Sequence, residues 1–449
     1  MKRKGEDLLE GLSAAAARSP EAFLLPLWAG LVRGAVTFDD FLAAVRARRQ
    51  LTFLTIDTTG ACDLKCAEMC YYNPRIRLNK PFISESLLVD AVRQAAHDLS
   101  LHVLAFAGKE PFLNPTRLFS LIHQAGSIPA RDFVTGIVTN GRHVASHRES
   151  LRRAAAAGHL NYIDVSIDTA DARAHDDFRG LQGTHQRAIE AVRWLNAEIP
   201  SARTTVVSVL RWENAQGILD LLRALSPVNT FYQIQPIQPP PYSSILPLTA
   251  GHVLGFLSKL ESLLAGPLAG AGISVSIELL GIYLLEAAQA GFLRWDQIRE
   301  DENCTLYVQR EIGGNTLIIT CEVFPLQAWR LARITYSGAY LAHMHFLQAP
   351  DPDIYATGHL GSESIVALFE RSVVPDSYFE QIVRSRSAHE CFGRPCWPNC
   401  FGGWNGAENA LLENSRKLFN QPRLCTKGDE DFKRLEARIH NELAPRPCV

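Results

Sequence analysis

Three cysteines, Cys62, Cys66 and Cys70, fall within nine residues of one another. They follow an apolar, β-branched segment, Leu51-Thr52-Phe53-Leu54-Thr55-Ile56-Asp57, which Thr58-Thr59-Gly60 brings to an end. Such a segment reads as a strand, and the cysteines then lie on the loop that leaves it. Thiolates are the natural ligands of iron–sulfur clusters, so three of them on a short loop can hold three irons and leave a fourth open. Two other readings stand beside this one. Buried thiols act as small hydrophobes, and zinc takes cysteine pairs, although a zinc site usually joins one Cys-x2-Cys to a second.

The rest of the chain narrows the setting. Its 449 residues suit two or three domains with a sizeable core. The 45 basic and 47 acidic residues nearly balance, which points away from a nucleic-acid partner. No apolar run reaches the length of a membrane span, and no membrane association is expected. Met1-Lys2-Arg3-Lys4 leads into an acidic amphipathic stretch rather than the apolar core of a signal peptide. Ten cysteines in a chain without an export signal argue for metal ligation over disulfides. The expected location is cytoplasmic.

Elements that can position the cysteines follow from periodicity. Residues 1–50 read as an N-terminal helical region, with Leu8, Leu9, Leu12, Phe23, Leu24, Leu27, Phe41, Leu42 and Val45 at helical spacing. Residues 51–240 switch to short apolar strands near 51–57, 101–107, 133–139, 161–167, 204–210 and 231–237. Amphipathic helices lie between them, as at Ser84–Leu99, Pro115–Ala125, His147–Ala157 and Thr184–Leu195. Repeated β-then-α units imply a parallel sheet with right-handed crossovers. The expected fold class is therefore α/β, a partial (β/α)6 barrel whose strand carboxyl ends carry the chemistry. Residues 241–300 read as a helical linker, and 301–449 as a small cysteine-rich domain. Glycine and asparagine at Gly313-Gly314-Asn315 favour a hairpin between Cys304 and Cys321.

The loops after these strands carry a pattern. The second is followed by Gly108-Lys109-Glu110-Pro111 and the third by Asn140-Gly141. The fourth ends Ser166-Ile167-Asp168 and leads to His175-Asp176, Arg179-Gly180 and Gly183-Thr184. In this order, over residues 50–240, the chain resembles the radical S-adenosylmethionine (SAM) enzymes. It departs from that family twice. The family's C-x3-C-x2-C is C-x3-C-x3-C here, and lysine replaces the second glycine of the glycine-glycine-glutamate-proline loop.

The resemblance implies a [4Fe–4S] cluster on Cys62, Cys66 and Cys70, with SAM chelating the fourth iron. It implies cofactor-binding roles for Gly108, Lys109, Glu110, Asn140, Ser166, Arg179 and Tyr71. A glycine lets the backbone approach the ligand, and arginine suits a carboxylate through its fixed donor fork. One electron would cleave the sulfonium and give a 5′-deoxyadenosyl radical, which abstracts a hydrogen atom from substrate. An electron carrier or assembly scaffold is the non-enzymatic alternative, but a carrier needs no SAM pocket.

Cys304, Cys321, Cys391, Cys396, Cys400 and Cys425 resemble the SPASM or twitch extension of the same family, which implies at least one auxiliary [4Fe–4S] cluster. Cys448 stands one residue from the end and reads as a spare thiol.

The C-x3-C-x3-C spacing further resembles the radical dehydratases that remove the 3′-hydroxyl of aminoglycosides. That resemblance implies hydrogen abstraction at C4′ of a paromamine-like cationic sugar and loss of the 3′-hydroxyl as water. One electron and a proton then complete a 3′-deoxy-4′-ketone. A flavodoxin- or ferredoxin-like electron donor and an NADPH-dependent reductase acting on the product are the implied partners. Amines are recognised by carboxylates through charge-assisted hydrogen bonds. Asp168, Glu110 and Glu278 are the expected catalytic carboxyls, and Asp57 and Glu322 also lie near strand ends. The alternatives are a peptide maturase and a sugar epimerase or dehydrogenase.

Overall fold

The structure is a computed structural model. It describes residues 3–373 apart from 34, 67–69, 71–79, 238–244, 246–247, 323–327 and 343–355. Tyr71, Cys391, Cys396, Cys400, Cys425 and Cys448 lie outside the described residues.

Six strands fall where the apolar segments place them: β1 (Phe53–Asp57), β2 (Val103–Ala107), β3 (Val134–Thr139), β4 (Tyr162–Ser166), β5 (Arg203–Leu210) and β6 (Phe231–Pro236). Seven more follow: β7 (Ser274–Leu280), β8 (Arg299–Glu300), β9 (Leu306–Ile312), β10 (Asn315–Glu322), β11 (Leu331–Ile334), β12 (Ala339–Leu341) and β13 (Gly358–His359). They form one sheet in the order β13-β12-β11-β1-β2-β3-β4-β5-β6-β7-β10-β9-β8. Neighbours run parallel from β11 through β1–β7 to β10. Antiparallel strands flank this run at both edges. The sheet is thus wider than the six-stranded expectation. β7, within the expected linker, and β9–β12, within the expected cysteine-rich domain, continue it. Gly313 and Gly314, both at positive φ, turn the β9–β10 hairpin.

The N-terminal region is helical as its spacing requires: α1 (Arg3–Arg18), α2 (Leu24–Arg33) and α3 (Phe38–Arg48). Thr37 and Asp40 form a capping box at α3, satisfying donors that a helix end leaves unpaired. Between the strands come α4 (Glu85–Asp98), α5 (Pro115–Gly126), α6 (Arg148–Ala156), α7 (Ala172–Arg179), α8 (Thr184–Glu198) and α9 (Ala215–Leu225). Beyond β6 lie α10 (Ala250–Ala265), α11 (Gly281–Gln289) and α12 (Ile365–Ser372). Their apolar faces cover one side of the sheet and bury Leu54, Ile56, Leu104, Ile163, Val165, Val206 and Ile234.

The other side is half-buried and polar. Side chains alternate along a strand, so Asp164 and Ser166 of β4, Gln233 and Gln235 of β6, and Ser276 and Glu278 of β7 share that inner face. Register aligns Ser166 with Val207, Val207 with Gln233, and Gln233 with Ser276. Because neighbours are parallel, the loops after β1 to β6 all meet at one rim. No helix among the described residues is long and apolar enough to cross a membrane.

Candidate active site at the rim of the sheet

Cys62, Cys66 and Cys70 lie on the loop after β1 and are each half-buried. The Cys70 N–H donates to the Cys66 carbonyl at 3.0 Å, and the Leu64 N–H approaches the Cys62 sulfur at 3.4 Å. Burial pushes the Cys62 thiol up to about 12. Among the described residues no three cysteine, histidine or carboxylate side chains gather as a metal-ion site, and residues 67–69 of this loop lie outside them. The donor set itself, three thiols on one short loop at the rim, is that of a cluster with one iron left open.

Three later segments hold the cysteine loop in place. From the loop after β3, Asn140 Nδ2 donates to Oδ1 of Asp63 at 3.1 Å, and Arg142 Nε to Oδ2 at 2.9 Å. His143 Nε2 lies 3.0 Å from the same Oδ2. Burial would raise the Asp63 carboxyl, but these partners, His143 foremost, hold it below the ordinary range. From the C-terminal end of α7, which follows β4, the Arg179 carbonyl accepts from the Lys65 N–H at 3.0 Å. Gly180 sits so close that a Cβ there would lie 2.8 Å from the Lys65 Cβ. From the loop after β2, the Glu110 N–H donates to the Ala61 carbonyl at 3.1 Å.

Gly108 is required twice over. Its φ is +92°, and a Cβ would lie 2.7 Å from the Asp57 Cβ and 2.9 Å from the Thr59 carbonyl oxygen. Lys109 follows it at φ 45°, a left-handed conformation that the family's usual glycine would adopt without cost.

The three expected catalytic carboxyls stand in different surroundings. Glu110 is fully buried and caps the short turn at Pro111–Leu113. Its Oε1 accepts from the Phe112 N–H and the Thr139 hydroxyl, and its Oε2 from the Asn140 N–H, at 3.2, 2.9 and 2.9 Å. Burial nevertheless pushes it up to about 7. Asp168 is also fully buried and takes two hydrogen bonds from Arg179, Nε at 2.7 Å and Nη2 at 3.0 Å. The Val209 N–H adds a third at 3.1 Å. Burial opposes its charge, but Arg179 outweighs that and holds the carboxyl low. A carboxylate kept ionised this way orients Arg179 rather than giving up a proton.

Glu278 alone of the three is on the inner face. Its Oε1 accepts from Gln233 Nε2 at 2.6 Å and Gln235 Nε2 at 3.0 Å. Burial raises it. Asp57, by contrast, is buried in an ion pair with Arg333 at 2.7 Å. The Glu322 side chain lies outside the described residues.

Among the expected cofactor contacts, Asn140 is buried against Asp63, and Ser166 is half-buried at the end of β4. Arg179, assigned by the resemblance to a carboxylate ligand, is engaged with Asp168, and its guanidinium also reaches Cys66. Cys304 and Cys321 are both fully buried in the hydrophobic core. Sequence pattern alone did not single out Asp63, Arg142, His143, Asp164 or Arg211. Asp164 had a signal, as a carboxylate at an inward position of a strand. Burial pushes it up to about 6, against a hydrogen bond with Thr205.

The profile of the Radical SAM superfamily matches residues 56–225, the stretch that carries these loops. The match is thus to a radical SAM superfamily domain, and it covers these residues only. Within the curated proteins, the AdoMet-dependent heme synthase of Methanosarcina barkeri (strain Fusaro / DSM 804) is 29% identical over 127 residues. That match covers 28% of this chain, and it spans only 34% of the relative's length. The structure of Streptococcus suis SuiB superposes with a TM-score of 0.60 at 14% identity, over 86% of this chain and 80% of that one. The native anSMEcpe structure with bound AdoMet gives 0.55 at 16% identity, over 87% and 99%. At these identities the likeness is one of fold, and it extends well past the radical SAM domain.

Proposed function

We propose that the chain is a radical SAM enzyme acting on a small amine- and hydroxyl-bearing sugar, and that it removes the 3′-hydroxyl of an aminoglycoside. The bound cluster and SAM would supply a 5′-deoxyadenosyl radical that takes the hydrogen from C4′. Cys62, Cys66 and Cys70 hold the cluster in this reading. The radical SAM match over 56–225 supports the cofactors. The observation that carries the substrate class is Glu278, a carboxyl on the inner face, gripped through one oxygen by two glutamines. Its second oxygen then serves a substrate amine or hydroxyl, and burial raises the proton affinity of the carboxyl, against the hydrogen bonds from Gln235 and Gln233. Asp164 and Ser166 extend the same polar wall.

Completing the reaction takes one further electron and a proton, for which a flavodoxin- or ferredoxin-like donor is proposed. An NADPH-dependent reductase would return the ketone product to an alcohol. Oxygen-sensitive clusters fit a cytoplasmic setting. An auxiliary cluster on cysteines beyond Cys70 is part of the proposal. Iron left after Cys62, Cys66 and Cys70 are all replaced by alanine would support it, and an iron-free triple variant would remove it.

The deciding experiment gives the anaerobically reconstituted protein dithionite, SAM and paromamine, read by mass spectrometry. Loss of water from the sugar together with 5′-deoxyadenosine is the expected result. 5′-Deoxyadenosine at background rate with unchanged paromamine keeps the radical chemistry and removes this substrate. Turnover of a precursor peptide instead would move the chain to peptide maturation. No cleavage of SAM at all would overturn the enzyme reading.

A further inference from the structure

Arg211 stands at the same rim, directly after β5, in a turn that fixes it. Its N–H donates to Asn214 Oδ1 at 2.7 Å, and Asn214 Nδ2 donates to the carbonyls of Asp168 and Val209 at 2.9 and 2.8 Å. The guanidinium lies over the ring of Phe178 of α7, with Cζ 3.4 Å from the ring centroid. That contact restrains the donor fork. The side chain is only 15% exposed. Its Nε is buried and has no hydrogen-bond partner among the described residues. Glu213 is its ion-pair partner, at a loose 4.0 Å and on a side chain 67% exposed.

The neighbouring charges do not supply what is missing. Asp168 already takes two hydrogen bonds from Arg179. His175, close to Asp168, is pushed down to about 4 by burial and adds no charge at neutral pH. Burial disfavours the Arg211 charge, and the pull of Asp168 and Glu213, set against repulsion from Arg179, does not make up for it. A half-buried cation with a fixed fork and a vacant donor matches an oxyanion, which takes two donors of a guanidinium in its plane. Next to it Trp212 is 59% exposed and stacks on His252, with ring centroids 4.3 Å apart.

We infer that Arg211 is a carboxylate-binding residue of the rim, seating an anionic group of a ligand against the Phe178 face. The inference rests on the reading that this rim is the ligand site. Two ligands could bring the carboxylate, the methionyl part of SAM or a substrate.

The test uses the full-length reconstituted protein, wild type, R211K and R211Q, in anaerobic calorimetric titrations. SAM and its decarboxylated analogue are titrated first, then acetate into SAM-loaded protein. Melting curves confirm that each variant folds, and R211K serves if R211Q does not. A tenfold or greater loss of SAM affinity in R211Q, with the analogue unaffected, assigns the carboxylate to SAM. Unchanged SAM affinity with saturable acetate binding that R211Q abolishes assigns it to a substrate. Affinities for SAM and acetate that are both indifferent to residue 211 overturn the inference. Should wild type bind no SAM, the proposed function falls, while acetate binding to the unloaded protein still reads Arg211.

Discussion

Arg142 Nε lies 2.9 Å from Asp63 Oδ2, and this ion pair ties the loop after β3 to the cysteine loop after β1. Both side chains are mostly buried, at 11% and 22% exposure. Asp63 also holds Asn140 and His143, so one carboxylate on the cysteine loop organises three side chains of the other. Replacing Asp63 with alanine should cost about 1–2 kcal/mol, less than a fully buried charged hydrogen-bond set because solvent screens part of it. Denaturant melts check this, and iron content after reconstitution should fall with it. The pH dependence has a definite sign. The folded carboxyl lies below the ordinary range, so its contribution is present at neutral pH and is lost as pH falls through the lowered folded value. The alanine variant should lack that acid-side loss.

Asp168 and Arg179 form a buried pair whose partners are not equivalent to lose. Asp168→Asn should leave Arg179 charged, buried and uncompensated beside Cys66. Breaking one side of such a pair costs about 3–5 kcal/mol. A double variant, Asp168→Asn with Arg179→Met, should recover part of the loss. Melts of wild type, Asp168→Asn, Arg179→Met and the double variant measure it, and additive effects would show that the two side chains do not interact.

The sheet was readable because each of its first six strands is a short apolar run between turn residues. β1 to β6 fall within two residues of their expected bounds. The chain beyond residue 240 was harder. β11, Leu-Ala-Arg-Ile, is only four residues long, and its place beside β1 is a long-range pairing that local pattern does not encode. The site divides the same way. Gly108 and the cysteines announce themselves by type and spacing. Asp63 does not, because an aspartate between two cysteines reads as an exposed loop charge until Arg142 and His143 arrive from a distant loop. Arg179 was legible as a rim residue, whereas its engagement with Asp168 depends on how α7 packs.

Gly108→Ala should not fold normally. The new Cβ would meet the Asp57 backbone at 2.8 Å, which side-chain motion cannot relieve, and the φ of +92° is strained for alanine. Lys109→Gly, one residue on, should stay within about 1 kcal/mol of wild type, since glycine adopts the left-handed conformation freely. Expression and melting of the two variants side by side check the contrast.

Glu110 predicts a pH effect opposite in sign to that of Asp63. Its folded carboxyl is pushed up to about 7, so the folded chain binds a proton that the unfolded chain has released between the ordinary glutamate value and about 7. Stability from this group is full below the ordinary value and declines as pH rises to about 7, by on the order of 3 kcal/mol. Glu110→Gln should remove the slope. It should also lower the melting temperature, because one glutamine NH2 must face an N–H or hydroxyl donor from Phe112, Thr139 or Asn140. A desolvated clash of donors costs about 1–3 kcal/mol. Melts across pH in both chains measure slope and offset separately.

Under the proposed dehydration, a Glu278 variant should separate radical formation from the loss of water. Glu278→Gln keeps a carbonyl to accept from Gln233 and Gln235 but removes the acid and its charge. If Glu278 protonates the departing hydroxyl, the variant should still cleave SAM while dehydration slows by about 10²–10⁴-fold, the usual worth of a positioned general acid. If Glu278 only grips a substrate amine, the loss should appear as a raised KM with kcat retained. The pH profile distinguishes the two again: a general acid gives a basic limb that disappears in the glutamine variant. 5′-Deoxyadenosine and dehydrated sugar, quantified in the same reaction, supply both readings. Equal loss of both products would place Glu278 in cofactor binding and remove it from the dehydration step.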